Sequence, residues 1–192
     1  MLSHIVRSGI PFLVLVPFCL SNPRPASAQD DDPDLKAYNS YQLTLPKYKK
    51  FLDAMVNLAK AAEKNPAVGQ SLEGAGEKSI AQTVAAYNKV PQVRRGISAA
   101  GLTTRDFVLT QGAFLHAGLA YALMKQGGFS PDSAVKTMQV SRANLDFVRK
   151  NEAEINRLTK EAEAKAPGLK EARGNGEDSG EGEEESGDDD SE

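Results

Sequence analysis

Residues 101–128 read GLTTRDFVLTQGAFLHAGLAYALMKQGG and hold the longest apolar run outside the N-terminal stretch, together with His116. Thr103 followed three positions later by Asp106 forms an imperfect capping box, since aspartate replaces the usual glutamate or glutamine, and Gly127-Gly128 is a stop signal. The helix between these signals carries apolar side chains on nearly every side, including Phe107, Val108, Leu109, Phe114, Leu115, Leu119, Leu123 and Met124. A helix apolar all round is either the centre of a soluble core or a membrane span. Thr110, Gln111 and His116 make a span costly in lipid, so the stretch is read as a core helix with Leu119 inside. Ala113 and Ala117, and Gly118 and Ala122, are spaced to give small faces for neighbouring helices.

Working outward, the other segments are helical too. The stretch LTLPKYKKFLDAMVNLAKAAEKNP places Tyr48, Phe51, Leu52, Met55, Ala59 and Ala62 three or four apart, with Thr44 as cap, Pro46 in the first turn and Asn65-Pro66 as terminator. A weaker helix is expected over residues 77–89, with Ile80, Val84 and Tyr87 inward, followed by a short one from Pro91 that Gly101 ends. Ser130, Pro131 and Asp132 start the last helix, which would reach about 50 Å if unbroken and then project beyond its partners. With no sustained alternation of strand type, the fold class is all-α, an irregular four- or five-helix bundle.

The N-terminal residues set the expected compartment. MLSHIVRSGIPFLVLVPFCLSNPRPASAQ has a charged start at Arg7, an apolar run from Ile10 to Leu20 and an Ala-Ser-Ala end, the order of a secretory signal peptide cut before Gln29. Lipidation at Cys19 is disfavoured, because Val-Pro-Phe precedes it where small residues are needed. Cleavage would leave 164 residues with no cysteine and only His116, which removes disulfides, thiolate catalysis, Cys/His zinc sites and covalent c-type haem. The expected organisation is a signal peptide over 1–28, a mobile acidic leader over 29–43, a helical domain over 44–165 and a disordered acidic tail over 166–192. A periplasmic or secreted protein follows, with no transmembrane span once the signal is removed.

The segment VPQVRRGISAAGLTTRDFVLT resembles a group of uncharacterised, secreted, all-helical proteins of Gram-negative bacteria. In them a proline-led short helix, an Ala-Gly-Leu-Thr turn, an Arg-acid pair and an aromatic residue begin a central helix. The likeness spans residues 87–122. It implies an exported helical domain and carries no activity onto these residues.

Charge divides the chain. Residues 35–170 hold 20 Lys+Arg against 11 Asp+Glu, whereas residues 171–192 hold one Arg against 11 acids. Such a tail is expected to keep the protein soluble, or to shield Lys47, Lys49, Lys50, Arg94 and Arg95 from anionic surfaces, with which the body would make weak contact. Arg94, Arg95 and Arg105 flank the turn before the central helix and are a candidate anion site. Nucleic acid is not expected as a partner, because no basic motif interleaved with aromatics is present.

No nucleotide, hydrolase, zinc-protease or EF-hand spacing occurs. Asp106 and His116, ten positions apart on one helix, are about 15 Å apart along its axis and cannot act as a base and its orienting acid. No catalytic residue, metal site or resident cofactor is therefore expected. The favoured function is a non-catalytic exported binding or scaffolding module for a protein or small-molecule ligand. The alternative is a ligand or haem carrier using His116 with Met55, Met124 or Met138, since imidazole and thioether are suitable axial ligands.

Overall fold

The computed structural model describes residues 32–72 and 78–169, and the described residues form nine helices with no strand. In chain order they are α1 (Pro33–Ser40), α2 (Leu45–Lys64), α3 (Pro66–Leu72), α4 (Ile80–Lys89), α5 (Pro91–Ala99), α6 (Thr104–Lys125), α7 (Pro131–Thr137), α8 (Arg142–Lys150) and α9 (Glu152–Lys165). The stretch expected as a signal peptide, residues 1–28, lies outside the described residues, as do residues 170–192 of the tail expected over 166–192, whose first residues are instead packed on the domain, Ala166 buried and Leu169 against the core.

The caps expected from the sequence are in place. Thr44, Thr103 and Ser130 accept hydrogen bonds from the backbone N–H groups of Lys47, Asp106 and Ser133, each satisfying a donor that has no partner within its helix. The Thr103 hydroxyl also donates to Asp106 Oδ2 at 2.6 Å, so the imperfect box closes through side chains. Helix α4 starts at Ile80 behind a full capping box of Ser79 and Gln82.

Two buried clusters organise the domain. In the first, α2 packs antiparallel to α6, with Tyr48 against Phe114 at 4.6 Å and Phe51 against Phe107 at 5.1 Å between ring centroids. Such ring pairs add about 0.5–1.5 kcal/mol each beyond the area they bury. Helix α5 covers a second side of α2, where the missing side chain of Gly96 leaves room for Leu58 and the Gly96 carbonyl accepts from Asn57 Nδ2 at 3.1 Å. Leu58, seven residues on from Phe51, thus continues the apolar face of α2 beneath α5. The second cluster joins Ala113, Ala117 and Ala120 of α6 to Ala134, Val140, Leu145 and Val148. Small side chains on α6 are what let α7 and α8 come close there.

Three expectations need correction. The stretch read as a mobile leader over 29–43 is, from Pro33, the helix α1, capped by Asp32 and seated on α6. The last helix is not one rod but α7, α8 and α9. Its first break is a Schellman turn in which Gln139 takes φ +47° and the Val140 N–H bonds the Val135 carbonyl. Asn39 holds that turn from α1, donating to the Gln139 carbonyl at 2.7 Å and accepting from the Ser141 N–H at 2.9 Å. Nor does the C-terminal segment project: α9 packs along α2, burying Ile155, Leu158 and Ala162, with the Tyr48 hydroxyl 2.9 Å from Thr159 Oγ1. Third, Leu119 is 42% exposed and Leu115 59%, so α6 is not enclosed on every side.

Candidate functional site

Among the described residues, α6 alone is long and apolar enough to cross a bilayer, and its faces divide sharply. Phe107, Leu109, Thr110, Ala113, Ala117 and Ala120 are buried against other helices. Opposite them, Leu115 and Leu119 point outward one helical turn apart, with Ala122 exposed beyond them. Beside them Gly118 has open space where a side chain would stand, so the ridge has an adjacent gap. The N-terminal part of the same face is covered by α4, whose Asn88 accepts from the Thr104 hydroxyl at 2.7 Å. Helix α4 has 10 residues against the 22 of α6, so it is too short to cover the remainder.

Two polar groups frame this apolar face. On one side Tyr121 donates to Glu152 Oε2 and Lys125 donates to Glu152 Oε1, both at 2.7 Å. These two hydrogen bonds hold the Glu152 carboxyl below its ordinary range. On the other side α1 lies across the helix, with the Tyr38 ring over Gly112 and 5.3 Å from the His116 imidazole. Burial pushes the His116 pKa down, and the Asp32 carboxylate acts in the opposite direction. Tyr41 donates to Thr110 Oγ1 at 3.0 Å, because the Thr110 hydroxyl hydrogen is already committed to the Asp106 carbonyl at 2.7 Å.

Each residue singled out from the sequence has a definite place. His116 is half-buried beneath α1 and faces Tyr38 rather than a carboxylate dyad. Met55 packs on the first cluster, whereas Met124 and Met138 pack on the second. Met124 is eight residues from His116 on the same helix, about 12 Å along the axis, so these two cannot be ligands on opposite sides of one metal. Arg94, Arg95 and Arg105 are all exposed, and Arg95 turns its Nε back to the Pro91 carbonyl at 3.4 Å. No group of three or more metal-ligating side chains converges among the described residues.

Helix α1 is marked in the sequence only by its start, Asp32 as cap and Pro33 in the first turn, a signal overridden by the acidic composition around it. Its docking depends on Asp34, Tyr38, Asn39 and Tyr41, polar or amphipathic residues with no helical stripe, in a helix that buries no residue completely. Asp34 Oδ2 accepts from the Ile80 N–H at 2.9 Å, so α1 also supplies a cap to α4. Comparison of the chain with protein-family models, with curated proteins and with solved structures finds no match.

Proposed function

We propose that this chain is a non-catalytic, exported helical binding module, and that it docks a protein partner through the open face of α6. The observation that carries this reading is the exposure of Leu115 and Leu119 on a helix whose other faces form the core. The face is a convex ridge. Small ligands are held in concave sites that enclose most of their surface, so a ridge suits the apolar groove or helix of another protein. Leucines one turn apart can enter such a groove, and the gap at Gly118 admits a side chain from the partner. Burying the exposed part of each leucine would contribute roughly 1 kcal/mol.

Export is supported by the N-terminal segment and by the sequence resemblance to secreted helical proteins. In this reading α6 is a core helix with one face left open, His116 is a packing residue under α1, and the domain is an irregular helical bundle with the acidic tail as its appendage.

The test is the double substitution Leu115→Glu/Leu119→Glu. Both positions are exposed, so the melting temperature should stay within a few degrees of the parent. Chemical cross-linking in the compartment where the protein resides should lose a discrete adduct that the parent forms. An adduct unchanged by the double substitution would place the partner elsewhere.

A further inference from the structure

The path of α9 decides where the acidic tail leaves the domain. This helix begins beside the C-terminal part of α6, at the Tyr121–Glu152 contact, and passes Tyr48 at Thr159. Since α6 is antiparallel to α2, α9 runs parallel to α2 and carries the chain toward its C-terminal half. Ala166 is buried there and Leu169, the last described residue, packs on the first cluster.

That end of the domain is basic. Helix α5 runs antiparallel to α2, with Lys50 Nζ 3.5 Å from the Gly101 carbonyl and Asn57 at Gly96, which brings the start of α5 level with the last turns of α2. The end of α4 adjoins the start of α6 through Asn88 and Thr104. Lys60, Lys64, Lys89, Arg94 and Arg95 are thereby gathered toward one end, with Glu63 the one described acid among them, and all five cations are exposed, whereas Arg105 lies nearer the middle of α2, where Phe107 meets Phe51. None of the five is within salt-bridge distance of a carboxylate among the described residues. The other basic positions named from the sequence are engaged: Lys47 donates to the Gln42 carbonyl and lies over the Tyr41 ring, and Lys49 pairs with Asp53.

We infer that the acidic residues 177–192 dock on this basic end, so that the chain carries the occupant of its own polyanion-binding surface. Ten of the tail's 11 carboxylates lie in that segment, against five cations that no described carboxylate engages. Reach is sufficient: the 23 residues beyond Leu169 span at most about 80 Å when extended, several times the length of α2, about 30 Å. Charges brought together at a surface attract over about 10 Å at moderate salt, and many weak pairs add where one exposed pair contributes little. The inference concerns the basic end and does not depend on the α6 face.

Zero-length carbodiimide cross-linking of the intact chain, read by mass spectrometry, tests it directly. Tail carboxylates should join Lys60, Lys64 and Lys89 in preference to Lys136 and Lys150. That preference should fall by roughly five-fold or more in about 1 M salt, where the screening length is about 3 Å. The exposed pair Arg94→Glu/Arg95→Glu should lower it in the same way at low salt. A distribution indifferent to both salt and charge reversal would mean that chain length alone sets the contacts and would overturn the inference. So would cross-links confined to Lys160 and Lys165, or links only between isotopically distinct copies in a mixed sample.

Discussion

The ring of Tyr38 lies over Gly112, at a point where a Cβ on residue 112 would overlap it. The missing side chain on α6 is therefore the seat of α1, and the contact is sensitive to a single methyl group. Gly112→Ala should displace Tyr38 and cost about 1–3 kcal/mol, the usual range for overpacking. Hydrogen exchange should show faster amides in residues 33–41 with α2 and α9 unchanged. Unaltered protection in α1 would show that Tyr38 does not anchor it.

A second anchor is Asn144, 2% exposed, whose amide accepts from the Leu43 N–H at 2.9 Å and donates to the Tyr41 carbonyl at 2.8 Å. Replacing it with leucine keeps the volume but strands two backbone groups in the interior. The expected loss is about 2–4 kcal/mol, from roughly 1–3 kcal/mol per buried unsatisfied group. Denaturant melts of Asn144→Leu measure it, and a loss below that of an average surface substitution would mean that the link between α8 and the α1–α2 connection rests on packing alone.

The His116 imidazole gives the α1 contact a pH dependence. Its pKa is depressed from 6.5 by burial, so the docked form favours the neutral ring. Well above pH 6.5 the docked and undocked forms are both neutral, and docking is at full strength. As the pH falls below that value the undocked form takes up the proton more readily, and docking weakens until the pH is below the docked-state pKa. Protection factors in residues 33–41, which remove the intrinsic pH dependence of exchange, should therefore fall between neutral pH and about pH 5, and His116→Phe should flatten the response. A response that persists in the phenylalanine variant would show that His116 is not its source.

Much of the helical order was legible in the sequence because its signals are local. Thr44, Ser130 and Pro91 act within a few residues of themselves, and Tyr48 with Phe51 mark a face whatever covers it. Contacts distant in sequence were not legible. Asn39 fixing the turn at Gln139 joins residues 100 apart, so nothing near Gln139 shows that the last helix must break there. From sequence alone Leu119 reads as a core residue, because a long apolar helix has no polar face by which to orient it. Its exposure follows from α4 being too short to reach it. The candidate site was thus visible as residues but not as a surface.

The two faces of α6 give a contrast within one helix. Ala117, which has no exposed surface, stands two residues from Leu119 and faces α8. Ala117→Asp places an unpaired charge in the core and should unfold the domain, given a stability of about 5–15 kcal/mol. Leu119→Asp should change the midpoint by only a few degrees. Equal destabilisation by the two would show that the outer face is packed after all.

The claim that the outer face of α6 binds a partner is tested most directly by a photo-activated cross-linking residue placed singly at position 119, position 115 and the exposed position 136. Illumination should trap one discrete protein adduct of the same mass from positions 115 and 119, and none from 136. Adducts of similar yield from all three positions, or no adduct from 115 and 119, would contradict the account.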